Sequence, residues 1–289
     1  HSYGRSLIQT SDGGYAVTGW TDIRTPGDNN DMFITKYDSA SNLSWNRTWG
    51  GAGEDYGYSI VQASDGGFAV TGWTESYGIG GSRDMFIAKY ELDGDLSWSK
   101  TWGDARTDIG RSIVQTSDGG YVVTGGTDSF GDQKIFVVKY DSSGEVSWDK
   151  TWGGSGGYES GMAIIQTADS GYAVTGSTYF GGVNNMVIIK FDSSGDVLWN
   201  KTWGGTGDDE GKAIIQTSDN GYIVTGYTNS PGSLGAEDMF IVKYDSTGTQ
   251  LWDRLWGGTN IDYGESIVET SDGGFAVAGT SCSFMDDVV

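Results

Sequence analysis

Five complete repeats at a period of 50 to 53 residues, four short β-type runs in each, and no stretch with a helical period together predict an all-β fold. The expected form is a β-propeller of four-stranded antiparallel blades, six in number with the last incomplete. The repeat is read from recurring segments. YGRSLIQTSDGGYAVTG returns as YGYSIVQASDGGFAVTG, IGRSIVQTSDGGYVVTG and EGKAIIQTSDNGYIVTG, while LSWNRTWGG returns as LSWSKTWGD, VSWDKTWGG and VLWNKTWGG. The first Trp of the second segment falls at 45, 98, 148, 199 and 252. One domain is expected, with repeats over residues 3–55, 56–108, 109–159, 160–209 and 210–262 and a partial one over 263–289.

Within a repeat, strand A is of the Ser-Ile-Val-Gln-Thr type and strand B of the Tyr-Ala-Val-Thr-Gly type. Ser-Asp-Gly-Gly joins them, a tight turn in which Asp and Gly supply the local hydrogen bonds and the positive φ. Strand C resembles Asp-Met-Phe-Ile-Val-Lys-Tyr and leads through Asp-Ser-Ser-Gly or a close variant into strand D, of the Leu-Ser-Trp-Asn-Lys-Thr-Trp type. Ten of the 12 Trp are the strand D pairs, and alternation puts both members of a pair on one face with a base between them. Packing between blades, with cation–π contact from that base, is the expected role. A second recurring base ends strand C, at Lys36, Lys89, Lys139, Lys190 and Lys243; each is expected to pair with the Asp of an A–B turn.

Composition narrows the function. Aromatics at 13% in a chain of 289 residues exclude a disordered acidic chain. A formal charge of −22, from 39 acids and 17 bases, repels phosphate backbones and argues against nucleic acid as a partner. The one His is His1, so a Ser-His-Asp or Cys-His centre and a His-ligated metal inside the fold are not expected. The one Cys, Cys282, has no internal disulfide partner, and no apolar run is long enough to insert in a membrane as a helix. The chain begins at His1 with neither an initiator Met nor a signal peptide, as expected of a mature, processed or excised chain.

QTSDGGYAVTG followed by WNKTWGG resembles the SBBP-type secreted β-propeller repeats of bacteria and archaea, over essentially the whole chain. That resemblance implies an extracellular or cell-surface setting and carries no common catalytic site. Kelch repeats share the period, but their paired-Gly strand motif is not matched. TSDGG lacks the Thr-Trp that follows in a sialidase Asp-box and lies on the A–B turn.

Candidate sites are sought where the repeat breaks, because a group needed at one site need not recur in every blade. The A–B and C–D turns are monotonous; the B–C and D–A connections vary, so any ligand is expected on their face. The B–C connections are read as Asp22–Asn30, Glu75–Arg83, Asp128–Gln133, Tyr179–Asn184 and Asn229–Glu237. The residue after the strand B Gly is Trp20, Trp73, Gly126, Ser177 or Tyr227. Trp20, Trp73 and Tyr227, with Tyr77 nearby, are expected to offer platforms for sugar rings, and Trp20 and Trp73 to be more exposed than the strand D tryptophans, which are expected to be mostly buried between blades. A second set opens strand A: Arg5, Tyr58, Arg111, Met162, Lys212 and Glu265. Arg5, Arg111 and Lys212 are candidates for an anion site at the mouth of a central channel. No cofactor is expected. Calcium is the one ion worth weighing, at Asp208, Asp209 and Glu210, which lack the alternating spacing of a known calcium loop. Asn42, Asn46 and Asn200 head glycosylation sequons, and Asn46 and Asn200 are expected on the accessible outer face.

The reading that results is a non-enzymatic extracellular propeller for surface assembly or adhesion, with other protein chains or surface glycans as partners. A carbohydrate-binding propeller is the alternative, and a carboxylate-based glycosidase or lyase the third. The partial last repeat supplies strands A and B, with Asp286–Val289 as the start of a strand C. Its open edge is expected to expose unpaired backbone, a place for self-assembly by strand donation.

Overall fold

The computed structural model describes residues 1–22, 29–154, 156–230, 232–233 and 235–283. Period-2 apolar runs between Asp-Gly turns fold as predicted, into antiparallel sheets whose strands follow chain order. Contacts divide the chain into two compact units, His1–Trp152 and Gly153–Val289.

The first unit holds three four-stranded sheets. They are β1 (Ser2–Gln9), β2 (Tyr15–Thr21), β3 (Asp31–Tyr37) and β4 (Leu43–Trp49); β5 (Asp55–Gln62), β6 (Phe68–Thr74), β7 (Asp84–Tyr90) and β8 (Leu96–Trp102); and β9 (Asp108–Gln115), β10 (Tyr121–Thr127), β11 (Lys134–Tyr140) and β12 (Val146–Trp152). The second unit holds two more and a two-stranded sheet. These are β13 (Ser160–Gln166), β14 (Tyr172–Phe180), β15 (Val183–Phe191) and β16 (Val197–Trp203); β17 (Asp209–Gln216), β18 (Tyr222–Thr228), β19 (Asp238–Tyr244) and β20 (Gln250–Trp256); and the pair β21 (Asp262–Glu269) and β22 (Phe275–Ser281). The expected strand C start at Asp286–Val289 lies outside the described residues. One 3-10 turn, Ile79–Gly81, is the helical element among the described residues.

Sheets pack face to face within each unit. Met32, Ile34 and Trp49 of the first sheet meet Ile60, Phe68 and Phe86 of the second, all buried. Each such side chain removed from water contributes about 1.5–3 kcal/mol. The strand C lysines take the expected partners: Lys36, Lys89, Lys139, Lys190 and Lys243 reach Asp12, Asp65, Asp118, Asp169 and Asp219 at 2.8 to 3.0 Å.

Three expectations are corrected. The strand D tryptophans are not mostly buried: Trp49 is, at 8% exposure, but the others are half-buried and Trp256 is 45% exposed. Strand D is the outer strand, so one flank of each indole stays open. The base between them does not stack in every repeat: Arg47 lies over Trp45 and Arg254 over Trp252, each at 5.7 Å, while Lys100 turns to Glu145 at 2.7 Å. Finally, Tyr179–Asn184 is not a loop. β14 and β15 run on, pairing Tyr179 with Asn184 and Phe180 with Val183, and turn on Gly181 and Gly182 at φ +68° and +97°. Two successive left-handed glycines are what a two-residue hairpin requires.

Candidate functional site

Strand A carries a β-bulge in every sheet, and the variable residues that open it are the bulged ones. Pairing skips Arg5, Tyr58, Arg111, Met162, Lys212 and Glu265, between a Gly and the next paired residue. Where another sheet packs on it the Gly leaves no room for a side chain: a Cβ on Gly57 would sit 2.5 Å from Thr18 Oγ1 and 2.8 Å from Met32 of the neighbouring sheet. A bulge re-aims the side chain it carries, so five residue types stand at one backbone position without disturbing the ladder.

Beside the first two bulges lies an aromatic stack that does not repeat. Tyr3 pairs across the strands with Trp20, and Tyr56 with Trp73. Ring centroids follow at 5.3 Å (Tyr3–Trp20), 4.6 Å (Trp20–Tyr56) and 4.4 Å (Tyr56–Trp73), the last pair only 13° from parallel. The Arg83 guanidinium closes one end, 4.3 Å from Trp73, and is held there by Glu75 at 3.0 Å. Arg5 lies over both Trp20 and Tyr58, at 5.5 and 5.2 Å. Asn30 donates to the Tyr56 hydroxyl at 2.9 Å. Burial, with Glu54 nearby, raises the Tyr56 pKa. In the third sheet the same two positions hold Ile109 and Gly126, so the stack cannot extend there.

Each sequence candidate now has a place. Trp73, expected to be exposed, is 3% exposed: Tyr56 and Arg83 cover its faces and its Nε1 donates to the Tyr58 hydroxyl at 3.1 Å. Trp20 is half-buried within the stack, whose outer end, Tyr3, is 55% exposed. Tyr77 is 51% exposed, lies 5.0 Å from the Trp49 ring and donates to the Gly50 carbonyl. Arg5 is exposed, and Arg111 is half-buried on β9. Tyr227 and Lys212 belong to the second unit, where Tyr227 meets Tyr263 at 4.9 Å and Lys212 lies over Tyr227 at 5.5 Å while pairing with Glu210 at 2.5 Å. Asn42, Asn46 and Asn200 are exposed, Asn42 donating to Asp38 at 3.0 Å.

The adjacent acids of the calcium candidate diverge. Asp209 is buried against Thr228 and Ser230, Asp208 accepts from Asn184, and Glu210 holds Lys212. Among the described residues no three ligand side chains converge for a metal ion. Asp209 instead belongs to a repeated latch. Asp55, Asp108, Asp209 and Asp262, all fully buried at the start of strand A, accept from Ser76, Ser129, Ser230 and Ser283 and from a backbone N–H of the D–A turn. These four acids of the D–A connections are therefore scaffold. Their recurrence at the start of strand A in four of the six sheets is the signal that identifies them. Tyr3, Tyr56, Asn30 and Arg83 were not singled out by sequence, although the Tyr3 position varies from repeat to repeat just as Trp20 does.

No model of a known protein family matches the chain. A segment of 135 residues, 42% of this chain, is 29% identical to the regulatory protein FlaEY of Caulobacter vibrioides, of whose length it spans only 14%. The structure is similar to the WD40 domain of Pan2 from Neurospora crassa, with a TM-score of 0.55 and 10% identity over 88% of this chain and 66% of that one. It is also similar to a protein of unknown function from Bacteroides caccae, with a TM-score of 0.52 and 11% identity over 88% and 82%. The fold is of the β-propeller kind. At such identities the likeness extends to the fold alone, and the chemistry has to be argued from the residues described above.

Proposed function

We propose that the chain is a non-enzymatic, extracellular or cell-surface binding protein, which assembles or adheres through the B–C and D–A loops around the bulges of its first unit. The observation that carries this reading is the Tyr3–Trp20–Tyr56–Trp73 stack with Arg5 above it. Inter-sheet packing is already met in the third sheet by Ile109 and Gly126, so four rings and two guanidiniums exceed what the scaffold needs. An exposed Tyr and Arg over a rigid aromatic base form the kind of anchor that dominates binding surfaces. Partners are other protein chains, with surface glycans as the second reading, favoured by the exposed rings of Tyr3 and Tyr77. The single His, at position 1, and the acidic charge support a role without catalysis.

The test is a binding screen of the whole chain against immobilised cell-surface proteins and a glycan array, with Tyr3→Ala, Arg5→Ala and Tyr77→Ala beside it. Arg5→Ala and Tyr3→Ala are expected to lose the captured partner while the thermal midpoint stays put. Retention by a glycan, lost in Tyr77→Ala, decides for the second reading. Turnover of a polysaccharide would overturn both.

A further inference from the structure

Strand C of the second sheet opens on Asp84, a fully buried carboxylate on which the preceding B–C loop rests. Its Oδ2 accepts from the Ile79 N–H at 2.6 Å and its Oδ1 from the Ser82 hydroxyl at 3.3 Å. The loop is folded closely against it. Gly80 and Gly81 take φ of +75° and +78°, and a Cβ on Gly78 would strike the Ser82 carbonyl and lie 3.4 Å from the Asp84 carboxyl carbon. Tyr77 and Ile79 of the same loop are 51% and 57% exposed. The fifth sheet repeats the anchor, with Asp238 accepting from the Gly235 N–H at 3.1 Å.

Asp84 also meets charges of its own sign. Around it stand Asp108 at the start of β9, Asp104 and Arg106 of the D–A turn, and Glu75 and Arg83 of its own loop. Asp108 is fully buried too, and its N–H donates to the Arg83 carbonyl at 2.6 Å, one residue from Asp84. The two guanidiniums point elsewhere, Arg106 to the Gly131 carbonyl at 3.2 Å and Arg83 to Glu75 at 3.0 Å. Two buried carboxylates so placed favour a proton on one of them. The chain holds its own uncharged version of the position. In the fourth sheet Asn185 stands opposite Thr178 as Asp84 stands opposite Thr74. A Cβ on Gly204 would strike Asp209, the counterpart of Asp108, and lie 3.0 Å from Asn185 Oδ1. The B–C connection there is the Gly181-Gly182 hairpin, with no loop to anchor.

We propose that Asp84 is a proton-operated anchor for the B–C loop over residues 75–83: with its carboxyl protonated the loop stays seated on β7, and with the carboxylate charged it opens more readily. Burial first, and after it Asp108 and Asp104 against the Ile79 N–H and the Ser82 hydroxyl, push Asp84 up to about 6. Opening the loop returns the group to water and to a pKa of about 4. The closed loop therefore holds the proton more tightly than the open one. Closure is fullest below about 4 and is lost as pH rises through about 6. The consequence rests on the loop-face reading above: Tyr77 and Ile79 are presented in a fixed position in mild acid and in a looser one at neutral pH.

Amide hydrogen exchange of the intact chain, followed residue by residue from pH 5 to pH 7.5 and corrected for the intrinsic rate, tests this without any partner. Protection of the Ile79 N–H is expected to fall about tenfold over that range, since each unit between the closed and open pKa is tenfold in the opening constant. Amides of β6 should keep theirs. Asp84→Asn retains an oxygen for the Ile79 N–H, and Asn185 shows that an amide is accommodated at this position. That variant should hold Ile79 equally protected at both ends of the range. Carbon-13 NMR of the Asp84 carboxyl in the wild-type chain gives a second reading, with a midpoint near 6 expected. Ile79 protection indifferent to pH, the same fall in Asp84→Asn, or a carboxyl midpoint below about 5 would each overturn the proposal. An empty binding screen would remove the loop-face reading and leave these measurements intact, whereas a missing pH effect would leave that reading standing.

Discussion

A lysine ammonium at 2–5% exposure is tolerated in strand C because a carboxylate and a backbone carbonyl are fixed beside it as acceptors. Lys139 donates to Asp118 at 3.0 Å and to the Tyr140 carbonyl at 3.1 Å. Asp118→Asn keeps the shape of the turn but strips the countercharge. It should cost about 1–2 kcal/mol, less than a fully buried pair, because Asp118 itself is 66% exposed and partly screened. Urea unfolding of the variant checks this. The pH dependence has two opposing parts. The Thr116 hydroxyl first, then the Gly120 N–H and Lys139, hold Asp118 down to about 2. A lowered folded pKa adds stability that is complete above about 4 and is lost as pH falls through about 2. Asp84 runs the other way: burial, reinforced by the neighbouring Asp108 carboxylate against the Ile79 N–H, pushes it up to about 6. Its contribution is full below about 4 and is lost as pH rises through about 6. Asp84→Asn should therefore raise stability at neutral pH by about 1–2 kcal/mol and abolish the gain otherwise seen between pH 7 and pH 5. Melting curves across that range decide it.

At the scale of the strand and turn, a recurring fit between neighbouring sheets is that of a Trp against a Gly. A Cβ on Gly94, Gly144 or Gly248, each near φ +80°, would stand 2.8 Å from the ring of Trp45, Trp98 or Trp199 in the preceding sheet. The first sheet has Ser41 at that place, at φ +63°. Its flank accordingly lacks the tight cover, with Leu7 63% and Tyr15 36% exposed where Ile60 and Phe68 are buried. Gly144→Ala should cost about 2–4 kcal/mol, from the left-handed backbone plus the steric overlap with Trp98. Ser41→Gly, with no ring to accommodate, should change stability by less than about 1 kcal/mol. Equal losses in the two variants would refute this account. The elements themselves were legible from sequence because each turn carries its own chemistry: strand A starts at Ser2, Asp55, Asp108, Ser160, Asp209 and Asp262, within a residue or so of the expected repeat starts. Gly181-Gly182 was missed because the B–C connections elsewhere are longer and polar. The site was legible only in part. Single positions such as Trp20 and Arg5 stand out by breaking the repeat. That Trp20 stacks on Tyr56 depends on how two sheets face each other, a relation absent from any one strand's pattern. The same relation turned Trp73 from an expected surface ring into a buried one.

For the whole chain, 39 acids face 17 bases, and five of those bases are locked in strand C. Each of those lysines is balanced by one Asp, so the excess of acids persists, and like charges held in a compact fold repel one another. Salt acts on this in two senses. It weakens exposed pairs such as Arg83–Glu75 and Lys100–Glu145, each worth about 0–1 kcal/mol. It also screens the general repulsion, whose reach shrinks from about 30 Å at 0.01 M to about 3 Å at 1 M. Few exposed pairs stand against a charge of −22, so the second effect should win. The thermal midpoint is expected to rise with sodium chloride, by about 2–4 °C for each kcal/mol of repulsion removed, and to level off once the screening length is shorter than the spacing of surface charges. Scanning calorimetry over that series tests it. A midpoint that falls with salt would mean that the exposed ion pairs, rather than the excess of acids, govern the electrostatics of this fold.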